Sequence, residues 1–269
     1  MTQPLPEFEN PPVVEVALSV QFDRLDVTTV QLGTVWQRFR DRFARVEEKL
    51  ELDAAFERFG PPEKKVPGVR FEVGGLPTPR LWFIDESGSE LVQVQRDRFI
   101  RNWRKIDGQP NYPRYDTLRA AFVNDWEIFS GFVAEELKAS LVPNQCEVTY
   151  VNIIEAIDSS RLDQILACIS GSNSDEYLGK PEGAEVQFRY VLKDETEKPW
   201  GRLHVAAGSA MRATDNQPVV RLSLTARGAT ASKDTAGAMN TLDAGHEAVV
   251  RGFTSMTSPE MHTAWGRKS

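Results

Sequence analysis

The chain has 269 residues, of which 41% are hydrophobic and 26% charged, a balance typical of folded globular proteins and far from that of disordered chains. This length admits one large domain or two of about half the size. The formal net charge of −7 repels nucleic-acid phosphate globally, and neither a signal sequence at MTQPLPEFENPP nor a run of about 18 apolar residues is present, so a nucleic-acid partner is disfavoured and secretion and membrane spanning are not expected.

After a proline-rich lead-in, Val13 to Phe22 alternates, with Val14, Val16, Leu18, Val20 and Phe22 on one face and Glu15, Ser19 and Gln21 on the other, which predicts a half-buried strand. From Thr28 to Phe59 the period lengthens. Val35, Trp36, Phe39, Phe43, Val46, Leu50 and Phe56 recur at three- and four-residue steps and predict a long amphipathic helix stopped by Gly60-Pro61-Pro62. Short strands at Val69–Val73, Arg80–Ile84, Glu90–Gln95 and Phe99–Ile106, divided by turn residues such as Gly74-Gly75, read as an antiparallel meander. Tyr115 to Leu141 carries Leu118, Phe122, Trp126, Phe129, Val133 and Leu137 at helical spacing, with Asp116 as its expected cap.

The second half follows the same order. Cys146–Ile157 reads as a strand and Arg161–Ile169 as a short helix; Ala184–Lys193, Arg202–Arg212 and Val219–Arg227 form a second meander. Leu242–Ser255 is a closing helix, and Ser258-Pro259 is an N-cap with proline at the first position of a last helical turn. The expected fold is therefore α+β, made of two β-α-β-meander-α units, residues 1–143 and 144–269, with antiparallel sheets and the helices on one sheet face.

If one face meets the helices, the other is polar and basic. Alternation assigns to it Gln93, Gln95, Gln187, Arg189, Arg202, His204, Arg221, Ser223, Thr225 and Arg227, and Arg101 and Trp103 join them as candidate binding residues. A solvated sheet face would carry the same residues. A binding face would use the guanidinium forks on carboxylate or phosphate groups of an acidic partner or ligand. The stretch Arg96 to Lys105 interleaves basic residues with Phe99 and Trp103, a pattern that suits stacking on unpaired bases as well as core packing with outward arginines.

Chemistry-bearing motifs are few. The three histidines, His204, His246 and His262, stand apart in sequence, and no paired cysteine motif or His-Glu-x-x-His occurs, so no metal is implied. Glycine-rich phosphate cradles and nucleophile elbows are absent, and no cofactor or catalytic residue is indicated. Cys146 and Cys168, the only cysteines, read as small buried hydrophobes in a reducing cytoplasmic compartment.

Asn10-Pro11-Pro12-Val13-Val14-Glu15, then LVQVQRDRF from Leu91 to Phe99 with Asn102-Trp103-Arg104, and finally Phe253-Thr254-Ser255-Met256-Thr257 leading to His262 and Trp265-Gly266, carry a resemblance. On these residues the chain resembles a sporadically distributed family of uncharacterised bacterial proteins. That resemblance implies a cytoplasmic bacterial protein, of an accessory or defence-linked kind, and brings no activity or cofactor. The element order is also similar to the duplicated saddle of the TATA-binding-protein fold. Together these readings make a non-enzymatic binding or scaffold protein the leading expectation, with a protein partner or self-association through the polar sheet face. A nucleic-acid binder through Arg96–Lys105 and a small-ligand receptor or enzyme with a pocket at His204 or His262 are the alternatives.

Overall fold

A computed structural model of the chain describes residues 4–60, 78–107, 111–155, 158–170, 177–179 and 181–268. Among them, nine strands pair antiparallel throughout into one sheet: β1 (Val13–Phe22), β2 (Arg45–Lys49), β3 (Arg80–Ile84), β4 (Glu90–Gln95), β5 (Arg98–Arg104), β6 (Pro143–Glu155), β7 (Glu185–Lys193), β8 (Pro199–Met211) and β9 (Pro218–Ala229). Their order across the sheet is β2-β3-β4-β5-β1-β6-β9-β8-β7. β1 and β6 thus pair at the centre of the sheet, flanked by β5 and β9.

Four α-helices lie among the described residues: α1 (Thr29–Thr34), α2 (Tyr115–Glu136), α3 (Thr235–Met256) and α4 (Pro259–Ala264). The apolar sides of α2 and α3 cover one face of the sheet, because that is where the inward stripes of the strands point. Val16, Leu18, Val20 and Phe22 of β1 are buried there in the core, and the Phe22 ring lies 6.1 and 5.8 Å from those of Trp126 and Phe129 of α2. Phe99 of β5 stacks on Phe129 and meets Trp126 edge-on, with ring centres 5.1 and 5.9 Å away. Helix α3 lies close against β6, β8 and β9, since a Cβ at Gly252 would collide with Leu203 and one at Gly245 would come within 3.1 Å of Val148.

Several expectations are corrected. The helix anticipated over residues 28–59 is only α1 and a 3-10 turn at Val35–Arg38, followed by β2 and an extended segment. Its apolar period holds for Val35, Phe39 and Phe43, which are buried, and fails beyond, where Leu50 is 80% exposed. The Trp36 indole donates to the carbonyl of Phe43, and β2 finds its backbone partners on β3, so strand pairing wins over helix propagation. The helix expected at Arg161–Ile169 is reduced to a 3-10 turn at Leu162–Gln164 because the next backbone groups bond to the end of α3 and the residues after it: the Ala167 amide to the Met256 carbonyl, and the Ser258 amide to the Ile165 carbonyl.

At the start of α2 the capping position is Arg114, at φ 73°, and Asp116 sits within the first turn, where its charge favours the helix dipole. Helix α3 begins earlier than anticipated because the Asp234 carboxylate caps the amide of Gly237. Cys146 is buried as expected and Cys168 is exposed. The strand anticipated at Val69–Val73 and the Gly74-Gly75 turn lie outside the described residues. No helix among the described residues is long and apolar enough to cross a membrane.

Candidate functional site

Register settles which residues share the face opposite the helices. Pairing aligns Gln95 with Arg98, Arg98 with Gln21, and Gln21 with Gln145, while Glu147 lies opposite Arg227, Arg227 opposite Arg202, and Arg189 opposite His204. Gln93, Gln187, Arg221, Ser223 and Thr225 belong to the same face by the same alternation.

Arg101 and Trp103 do not. They stand opposite Leu18 and Val16 of β1 and so point toward the helices. There the guanidinium of Arg101 bonds to Asp125 of α2 at 2.8 Å and to Glu90 at 2.6 Å, and the indole of Trp103 packs on Tyr112. Both are buried, as is Phe99, which takes the aromatic rings of the 96–105 stretch out of reach of a nucleobase.

Much of the polar face is already covered by the chain itself. The extended segment 51–59 crosses the sheet from β4 to β8, held by side chains that the alternation exposes to it. Gln95 exchanges bonds with the backbone of Leu52, Arg98 donates to the carbonyl of Asp53, Gln21 accepts from the amide of Ala55, and Gln145 accepts from that of Glu57. At the far end the Glu57 carboxylate, only 6% exposed, accepts from Arg202 and from His204 Nε2 at 2.6 Å, and lies 3.6 Å from Arg227. Burial alone would raise the pKa of Glu57; the bonds from Arg202 and His204 outweigh it, so the group stays below its usual range and is ionised. Arg202 also lies over the ring of Phe59. His204 therefore meets a carboxylate, but under this strap rather than in a deep pocket. Gln187, Arg189 and Arg221 remain exposed beside the half-buried Ser223 and Thr225, toward the end of the face that the strap leaves open.

A cavity of about 430 Å³ opens instead on the helix side, where β6, the start of α2, the middle of α3 and the N-terminal segment meet. The N-terminal segment forms one wall because its backbone pairs with the C-terminal residues: Glu9 with Gly266, Asn10 with Trp265, and Lys268 with Glu7. Leu5, Phe8, Pro11, Val13, Val249 and Phe253 supply much of the apolar lining. The polar lining is a chain of rings. The hydroxyls of Tyr112 and Tyr150 are 2.8 Å apart, Tyr150 bonds to Nδ1 of His246 at 3.0 Å, and the His246 ring stacks on Tyr115 with centres 3.8 Å apart. The hydroxyl of Tyr115 in turn donates to Asp243, which Arg119 clamps with two nitrogens.

Burial lowers the pKa of His246 to about 4 and raises those of Tyr112, Tyr115 and Tyr150, so at neutral pH the ring cluster is uncharged. Charged pocket residues, namely Glu7, Arg114 and Asp116, are exposed. Deeper in, Asn152 of β6 is 1% exposed; its amide nitrogen donates to the carbonyl of Leu222 at 3.1 Å, and its side-chain oxygen has no partner.

None of these pocket residues was among the candidates drawn from strand alternation. One signal was present: in the inward series Val148, Tyr150, Asn152, Ile154, an amide interrupts a hydrophobic stripe. His262 lies elsewhere, with Nε2 2.8 Å from the Thr257 hydroxyl and its ring against Phe8. No three His, Cys, Asp or Glu side chains converge as metal ligands among the described residues. Comparison of the chain with protein families, with curated proteins and with solved structures returns no match.

Proposed function

We propose that this is a binding protein that holds a small organic molecule in the cavity between the sheet, α2, α3 and the N-terminal segment. The observation that carries the reading is the cavity itself: about 430 Å³ of space, within the range of ligand pockets, lined by apolar and aromatic side chains in an otherwise packed core. Binding rather than catalysis is favoured because the hydroxyls of Tyr112 and Tyr150 and Nδ1 of His246 are engaged with one another and Tyr115 is bonded to Asp243. Titration with an uncharged, polarity-sensitive naphthalene dye tests it. Saturable fluorescence enhancement is expected for the native chain and its loss in Val250→Trp, which fills the cavity from α3; a wild-type chain that never enhances the dye refutes the reading.

A second reading keeps the polar sheet face as a partner surface. It is favoured by the exposed Arg189 and Arg221 at the open end and by the chain's own acidic segment, which lies on the neighbouring part of the same face. In this reading the two-unit plan holds as a saddle whose polar face, among the described residues, the strap leaves open only toward Gln187, Arg189 and Arg221. A fluorescent poly-glutamate peptide should bind the native chain and not Arg189→Glu/Arg221→Glu; equal binding by both removes this surface.

A further inference from the structure

We infer that the molecule held in the cavity presents a hydrogen-bond donor on an apolar body, and that the side-chain oxygen of Asn152 is the acceptor that selects it. This rests on the cavity being a ligand site.

Three observations lead there. First, the orientation of the amide is determined by its partner. The Leu222 carbonyl can only accept, so the nitrogen of Asn152 must face it at 3.1 Å and the oxygen must face away. Second, that oxygen has no partner and is closed to bulk water, on a side chain that lines the cavity, so a ligand's donor reaches it through a small shift of the wall. A buried acceptor left unmatched is costly, and native structures keep very few of them. Third, the surrounding wall has little to offer it. Val13 stands opposite Asn152 in the sheet, and the two residues before it, Pro11 and Pro12, have no backbone N–H. The hydroxyls of Tyr112 and Tyr150 are engaged with each other and with His246.

The remaining lining sets the rest of the ligand's chemistry. The interior is uncharged, so a carboxylate or phosphate brought next to the Asn152 oxygen would be desolvated and repelled. An amide N–H or a hydroxyl would be matched, while the apolar body would rest against Val249, Phe253 and the tyrosine rings. The class that fits is therefore a small neutral amphipathic molecule ending in an amide or alcohol.

Competition against the naphthalene dye tests this with one scaffold and varied ends: 3-phenylpropanamide, 3-phenylpropanol, methyl 3-phenylpropanoate, 3-phenylpropanoate and propylbenzene. The amide and the alcohol are expected to compete at least about tenfold better than the ester and the carboxylate. Asn152→Leu, of similar volume, is expected to abolish that preference while still admitting propylbenzene. If the ester competes as well as the amide on the native chain, the selecting role of Asn152 is overturned and the cavity remains a ligand site; solvent satisfying the oxygen gives this result. If no compound displaces the dye, or the dye never binds, the ligand site falls as well. The native series decides the question even if the leucine variant does not fold.

Discussion

The clasp on Glu57 makes a quantitative prediction. Replacing Glu57 by Ala removes a nearly buried carboxylate that accepts from Arg202 and His204 and neighbours Arg227. Charge-assisted bonds to a buried group are each worth about 1.5–3 kcal/mol. Here the two arginines keep a quarter of their side-chain surface in water, at 23% and 26%, and rehydrate when the partner goes, which lowers the total. About 2 kcal/mol is expected. The remaining anchors, from Gln95, Arg98, Gln21 and Gln145 and from Arg202 to the carbonyl of Arg58, contribute about 1 kcal/mol each, so the loss appears first as local release of the strap. A 2 kcal/mol bias corresponds to about thirtyfold more released strap, and trypsin cleavage after Arg58 should accelerate by that factor, since cleavage follows the open population when reclosing is fast. Glu57→Gln should fall between, keeping an acceptor without the charge. The same grip has a pH dependence. Because the folded-state pKa of Glu57 lies below its usual value, the contribution is fully present above about 4.5 and is lost as the pH falls through the lowered value. Cleavage of Glu57→Ala at the wild-type rate, with an unchanged urea midpoint, would refute this account of how the strap is held.

Other expectations follow from the same geometry. His246, lowered by burial from 6.5 to about 4, is neutral in the fold and protonates first when unfolded, so stability is complete above about pH 6.5 and declines toward pH 4. The span amounts to about 3 kcal/mol, and His246→Phe should flatten that part of the profile in urea titrations; an unchanged slope would count against burial as the cause. Asp125 is fully buried between Arg101 and Arg42, so Asp125→Asn leaves Arg101 short of its main counter-charge and should cost about 3 kcal/mol in the same assay. Gly252→Val must displace the buried Leu203 side chain or shift α3 and should lower the melting temperature by several degrees, whereas a neutral result would mean that Leu203 repacks without cost.

How much of this was legible beforehand differs from element to element. Period-two alternation over residues 13–22, 185–193 and 218–229 and the helical stripe of 115–136 are local, strong and unopposed, and each appears in the structure within a few residues of its expected bounds. The 28–59 stretch misled because its spacing suits a helix while β3 offers backbone partners that spacing cannot reveal. Arg101 misled for a related reason: β5 carries arginine on both faces, and only Asp125, 24 residues further on, makes one of those faces core.

Chain order and alternation by themselves therefore determined an α+β protein with one apolar and one polar sheet face, because the period of a strand or helix is written in neighbouring residues. The tertiary structure alone decided that the polar face is strapped by residues 51–59, and that the cavity forms where four distant segments meet around Asn152. Those outcomes depend on which side chains satisfy each other across more than thirty residues of sequence, such as Gln21 and Ala55 with |i−j| of 34, and no local pattern encodes such a pairing.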